Sequence, residues 1–193
     1  MTTPLPSELV FPASVVPSIQ PPEALRQRGF GLRAAKQSDL DFMRRLFETQ
    51  REEEMAMIVW PEGMRESFLN SQFNLQHHHF TTHFEDAEFL VLEHCETAVG
   101  RLYVLRAAPR WLIVDIGLLP EWQGRGLGSA LLRQLQQDVQ DAHVQGLSLH
   151  VRLDNPRAHA LYLRLGFRNE NIEGTHRLMH WNTPSATAQL NTA

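Results

Sequence analysis

The spacing of apolar residues changes period along this chain, and each change marks a new element. In GLRAA (31–35) the pattern is short and strand-like. Ser38, with Asp41 three residues on, is a variant of the capping box and opens a helix with Phe42, Met43, Leu46 and Phe47 on one face. A second helix is expected after Trp60-Pro61, with Met64, Phe68, Leu69, Phe73, Leu75 and Phe80 as its apolar positions. The stretches AEFLVLE, GRLYVLR and WLIVDIGLL, over about 87–119, are rich in β-branched and aromatic residues and predict three consecutive strands in a meander, turning near ETAVG and RAAPR. Leu127, Leu131, Leu132, Leu135 and Val139 then return to helical spacing as far as Gly146. LSLHVRL (147–153) alternates strictly and predicts a half-buried strand. Asn155-Pro156 supplies an N-cap and a first helical residue for a helix carrying Ala158, Leu161, Tyr162 and Leu165, stopped at Gly166. THRLMHW (175–181) is the last expected strand. The order β-α-α-β-β-β-α-β-α-β describes a mixed α/β sheet with helices packed on it.

The ends break this regularity. Residues 1–27 hold Pro4, Pro6, Pro12, Pro17, Pro21 and Pro22, too many for regular structure, while Leu9, Val10, Phe11, Val15 and Val16 offer apolar surface. An arm lying on the domain or on a partner is expected there. From Thr183 onward TPSATAQLNTA has little to bury and reads as a frayed tail, which leaves 28–182 as one domain. With 193 residues, 42% hydrophobic and 21% charged, the composition is globular, and no apolar run is long enough to span a bilayer. A net charge of −4 argues against nucleic acid as a partner. The lone Cys95 cannot form an internal disulfide and the N-terminus lacks secretory order, so a cytoplasmic protein with no membrane partner is expected.

Between the third meander strand and the next helix stands QGRGLG, Gln123–Gly128, with glycine at every second position. A glycine-rich turn running from strand into helix exposes backbone N–H groups and adds the partial positive charge of the helix start, which together suit a phosphate. A P-loop is excluded because Gly128 is followed by Ser129-Ala130, with no lysine. A dinucleotide fingerprint fails as well, since Gly126 and Gly128 would require a third glycine where Leu131 stands.

The pattern that remains, Gln/Arg-x-x-Gly-x-Gly/Ala on Gln123, Gly126 and Gly128, resembles the pyrophosphate loop of the GNAT superfamily of acyl-CoA N-acetyltransferases. VDIGLLPEWQGRGLGSALL is similar to that family's fourth strand, loop and third helix. NPRAHALYLRLGF (155–167) is similar to its Asn-x-x-Ala-x-x-Leu-Tyr-x-x-x-Gly-Phe segment, and the likeness extends over roughly residues 30–182. The resemblance implies an α/β fold with a mixed, mainly antiparallel sheet, helices on both faces, and a splayed fourth and fifth strand near 112–119 and 147–153. Acetyl-CoA would enter that splay as co-substrate.

The site residues follow from the same resemblance. Leu118 and Leu119 would offer backbone groups to the pantetheine. The N–H groups of Gln123, Gly124, Arg125, Gly126, Leu127 and Gly128, with Ser129, would take the pyrophosphate, the Arg125 cation would reach a phosphate, and Asn155 would fix the pantetheine arm. Transfer to a neutral amine requires a base, stabilisation of the carbonyl oxygen by an N–H near Leu118, and an acid for the departing thiolate. Tyr162 stands where the family carries that acid, although its spacing alone equally describes a core tyrosine. Asp115 is the candidate base, set against a hydrogen-bonded structural acid, with Glu54 and His150 as fallbacks.

Other features carry less. His79 and His83 in HHHFTTH share i, i+4 spacing but lack an HExxH glutamate or other nearby ligands, so no metal is expected. Glu48 with REEE (51–54) reads as a solvated helix end that could also draw a cationic acceptor. Cys95 is expected to be buried and inert. The reading is therefore an N-acetyltransferase acting on an amine-bearing small molecule or peptide; a homodimer through the last strand or the Pro-rich arm is compatible with it. The alternative is a non-catalytic acyl-CoA-binding or sensing module.

Overall fold

The computed structural model describes residues 9–13 and 17–184. The expectations for Pro4, Pro6, Val15, Val16 and the tail from residue 185 fall outside that range. A short helix α1 (Glu23–Arg26) precedes β1 (Phe30–Ala34), which leads into α2 (Leu40–Gln50), α3 (Glu52–Ala56) and α4 (Met64–His83). The meander follows as β2 (Glu88–His94), β3 (Thr97–Leu105) and β4 (Arg110–Leu118). After it come α5 (Leu127–Asp141), β5 (Gly146–Arg152), α6 (Pro156–Arg164), β6 (Arg168–Glu173) and β7 (His176–Asn182).

The seven strands form one sheet in the order β1-β2-β3-β4-β5-β7-β6. Every neighbouring pair is antiparallel except β4 and β5. On one face α5 and α6 bury Leu127, Leu131, Leu132, Leu135, Val139 and Tyr162 against Leu102, Ile113, Leu149 and Val151. On the other, α2, α3 and α4 bury Met43, Leu46, Phe47, Met55, Leu69 and Phe73 against Phe89, Val91 and Tyr103. Each large apolar side chain so buried contributes about 1.5–3 kcal/mol, so both layers are firmly seated on the sheet.

Of the N-terminal arm, the described residues 9–13 and 17–27 lie on the domain. Phe11 packs edge-on against His77 and Phe89 on the α4 face, while Ile19 and Leu25 reach the core on the α5 face. Between them the Ser18 amide donates to Glu88 at 2.9 Å, and Arg106 also contacts Glu88, so the arm crosses the sheet at the start of β2.

Four expectations need correction. α2 is entered through a 3-10 turn at Gln37–Asp39, and the residue that accepts the Lys36 N–H (2.7 Å) is Asp39, not Ser38 or Asp41. Asp39 is chosen because Arg33 grips it from β1 at 2.7 and 2.8 Å. In α4 the buried stripe is Leu69, Phe73 and His77, whereas Met64, Phe68 and Leu75 face solvent. β6, RNENIE, gives no apolar alternation because all of it is exposed at the sheet edge. Cys95 is exposed, because Cys95 and Glu96 form the tight β2–β3 turn with φ of 47° and 65°.

Candidate functional site

The site begins where the parallel ladder stops. β4 and β5 pair only from Arg110↔Gly146 to Ile113↔Leu149, although β4 runs on to Leu118 and β5 to Arg152. β5 stays paired with β7 as far as Arg152↔His176, so it leaves β4 together with the β7–β6 hairpin and opens a gap. The parting coincides with a bulge in β4, where the register against β3 moves from Tyr103↔Asp115 to Val104↔Ile113 and Val114 is the extra residue. Because of that residue Trp111, Ile113, Ile116 and Leu118 keep to the α5 face, while Val114 packs on the other. Asp115 is turned toward the α4 face, where Arg101 holds it.

At the gap β4 offers backbone groups selectively. The Leu119 N–H donates to the Val99 carbonyl at 3.0 Å, so in an antiparallel ladder the preceding Leu118 N–H and C=O point away from β3 and into the gap. The Leu118 carbonyl takes the Gln123 side-chain amide at 2.9 Å. Leu119 differs in part from the expectation: its N–H is used by Val99, while its carbonyl accepts from Trp122 and keeps one lone pair for a ligand. The Gln123 N–H is likewise spent on Pro120, at 3.1 Å.

Beyond Gln123 the backbone is bare. Among the described residues the N–H groups from Gly124 to Ser129 find no acceptor, and the next donor, Ala130, closes the first helical bond to Gly126 at 2.9 Å. Gly124 (φ 69°) and Gly126 (φ 80°) adopt the left-handed conformation that turns these groups outward, a geometry glycine takes without strain. A Cβ built at Gly124, Gly126 or Gly128 meets no atom within 4 Å, so the space above the loop is free. Buried Leu127 anchors the turn, and the Arg125 guanidinium rests on the Trp122 ring, 5.2 Å from its centroid. Six consecutive free donors at the start of a 15-residue helix form a concave anion cradle.

Two ionisable candidates lie on opposite faces of the sheet. Tyr162 on α6 is 8% exposed, and no protein group hydrogen-bonds its hydroxyl among the described residues. That hydroxyl is nonetheless absent from the unpartnered oxygens sealed from solvent, so it opens outward. Burial pushes its pKa up, and the Asp115 charge adds to the rise, which keeps the phenol protonated. Asp115 ion-pairs with Arg101, which is 2% exposed, and its own side chain retains 23% exposure. Asn155 caps α6 by accepting the Ala158 N–H at 3.0 Å, which commits its oxygen and leaves the amide NH2 for another partner.

The fallback acids and bases are engaged elsewhere. Glu54 lies 3.5 Å from both Arg51 and Arg152, tying α3 to the end of β5, and Arg152 also grips Asp154. His150 sits 3.3 Å from Glu173 on the exposed face of the β5–β7–β6 hairpin layer. The His79 and His83 rings pack 4.4 Å apart, and no group of three His, Cys, Asp or Glu among the described residues could hold a metal. No helix among those residues is long and apolar enough to cross a membrane. Sequence reasoning missed Arg101, the partner of Asp115, and Gln76, whose side-chain oxygen accepts from Arg101; the one signal available was an arginine inside the apolar run GRLYVL.

A seven-stranded sheet parted between its parallel strands, with an N–H cradle at the parting, can be matched to known proteins. The profile of the acetyltransferase (GNAT) family matches residues 40–167, and the chain belongs to that family. It is 39% identical over 70 residues to a mycothiol acetyltransferase of Paenarthrobacter aurescens (36% of this chain, 18% of that protein). It is 40% identical over 60 residues to the ribosomal protein bS18-alanine N-acetyltransferase of Escherichia coli K12 (31% of this chain, 40% of that protein). These matches thus span less than half the length of the curated relatives. In fold it is similar to the PaiA N-acetyltransferase of Thermoplasma acidophilum, crystallised with coenzyme A, with a TM-score of 0.60 and 18% identity over 79% of this chain and 98% of that one.

Proposed function

We propose that the protein transfers an acetyl group from acetyl-CoA directly to a primary amine, with both substrates bound at once. The observation that carries the reading is the run of unpaired N–H groups from Gly124 to Ser129 opening beside the β4–β5 gap. Acetyl-CoA fits these residues and supplies the thioester. Backbone N–H groups would hold its pyrophosphate, Arg125 adds a cation for a phosphate, and the Asn155 amide and Leu118 backbone steady the pantetheine.

The chain's own groups divide the remaining work. Asp115, through water, takes the proton that the acceptor must lose before its nitrogen lone pair can attack the carbonyl carbon. The Leu118 N–H, facing the gap, stabilises the negative charge that develops on the carbonyl oxygen. As the C–N bond completes and the C–S bond breaks, Tyr162 gives its proton to sulfur; a phenol carries that proton at neutral pH, and burial only pushes its pKa further up. The acceptor is an amine-bearing small molecule or peptide, in line with relatives named for acetylating mycothiol and a protein alanine.

One observation favours a second reading. The Asp115 carboxylate is already held by Arg101, so a module that binds acyl-CoA without turnover would show the same cradle. A panel of amines, amino acids and peptides, incubated with acetyl-CoA and followed by release of free thiol, separates the two. Acetylation of at least one acceptor is expected. Tight CoA binding with no reaction across the panel would replace the enzyme with the binding module.

A further inference from the structure

Arg101 is a cation almost wholly removed from water, in the middle of β3. Its Nε donates to Asp115 Oδ2, its Nη2 donates to Gln76 Oε1 of α4 at 3.1 Å, and its guanidinium lies over the Tyr103 ring, 5.4 Å from the centroid. Asp115 is the one carboxylate paired with it among the described residues. Burying such a pair in place of two apolar side chains gains little or no stability on average, so stability does not account for the arrangement.

Its geometry does account for it. Alternation from Ile116 and Leu118 puts Asp115 on the Arg101 side of the sheet, beyond the bulge at Val114, and Arg101 occupies one carboxylate oxygen. The other, Oδ1, has no protein partner among the described residues and is not sealed from solvent. A carboxylate gripped at one oxygen presents the second in a fixed direction, and Gln76 ties that direction to the helix layer above the gap.

We propose that Arg101 is a positioning residue of the transfer reaction: it aims Asp115 Oδ1, through a bridging water, at the incoming amine, which arrives as an ammonium ion and passes its proton by that water to Oδ1. The assignment rests on the acetyltransferase reading above. Arg101 touches neither substrate and acts through Asp115 alone.

The test is a double-mutant cycle on amine acetylation, with CoA affinity measured by calorimetry on every variant. Asp115→Asn and Arg101→Met are each expected to lower kcat/KM for the amine by about 10–100-fold while CoA affinity stays within about twofold. Arg101→Lys, which keeps the charge without the planar fork, should recover part of the loss. The double variant Arg101→Met/Asp115→Asn should be no slower than Asp115→Asn, because a residue acting through another has nothing further to lose. The double variant also avoids stranding a buried charge, so the comparison with Asp115→Asn stands even where Arg101→Met fails to fold. A further fall in the double variant, or a wild-type rate in a folded Arg101→Met, overturns the assignment. A wild-type protein that binds CoA but acetylates nothing overturns the acetyltransferase reading, and the assignment with it.

Discussion

The two faces of the sheet meet at the gap with opposite chemistry. On the α5–α6 face the groups assigned to the cofactor are mostly backbone: six N–H donors without an acceptor among the described residues, a Leu118 amide and a capped helix, with Arg125 and Tyr162 as the ionisable side chains. On the α2–α4 face they are side chains drawn from three elements, Arg101 from β3, Asp115 from β4 and Gln76 from α4. The first face suits a ligand whose charge is always the same, a pyrophosphate. The second suits a group that changes charge during reaction, an amine. On the proposed reading, the division keeps cofactor recognition in the backbone and leaves the acceptor to side chains.

Substitutions in the loop should break the first half of that comparison most severely. Gly128→Val is expected to weaken CoA binding by roughly 100-fold, the equivalent of losing two charge-assisted hydrogen bonds. A Cβ at Gly128 meets no protein atom within 4 Å, so the loss would report on the ligand's space. Gly126→Val cannot separate that effect from the strain of a branched residue at φ 80°. Calorimetry on a variant of unchanged melting temperature decides the matter, and wild-type affinity would remove the cradle.

Tyr162→Phe sharpens the boundary between the faces. It keeps the ring that packs 5.8 Å from Phe167 and removes the proton donor alone. Single-turnover transfer should slow by about 100-fold, the low end for a general acid because a thiolate leaves readily, with CoA affinity unchanged. A wild-type transfer rate would make Tyr162 a core residue. Arg125→Ala should cost less, about 3–10-fold in CoA affinity, since the side chain is exposed and screened. The deficit should shrink as salt is raised, and a salt-independent loss would contradict a phosphate contact.

The smallest effect tests the side-chain face through its buried histidine. Burial lowers the His77 pKa from its ordinary 6.5, with Arg101, His78 and Arg44 adding to the fall against the raising hydrogen bond to Val10. Below pH 6.5 the unfolded chain therefore binds a proton that the native state resists, and stability drops as pH falls through that window. His77→Gln should reduce the difference in melting temperature between about pH 7.5 and about pH 5.5. Part of the slope remains, because burial also lowers His79, His176 and His180. An unchanged slope would show that His77 is not its source.

The same two faces differ in how far the sequence discloses them. The cradle is local: Gly124, Gly126 and Gly128 act within a few residues of chain, and Asn155 caps a helix three residues away, so spacing alone points to them. The meander and the helices on both sides of the sheet follow from periodicity for the same reason. Simple alternation does put Asp115 on the face opposite Leu118, but its pairing with Arg101 depends on register between strands, and nothing in VDIG marks the bulge at Val114. β6 escapes notice because an exposed edge strand buries no alternating face. Met64, Phe68 and Leu75 mislead because the stripe that packs in α4 is set by the sheet beneath it, which selects Leu69, Phe73 and His77.

The claim on which the rest depends is that the backbone from Gly124 to Ser129 recognises a pyrophosphate. Calorimetric titration of the wild-type protein with CoA and, separately, with pantetheine, which has the same thiol arm and no pyrophosphate, tests it directly. CoA should bind at least about 100-fold more tightly than pantetheine, by the same arithmetic of lost charge-assisted hydrogen bonds. Equal affinities would place recognition on the arm alone and contradict the account.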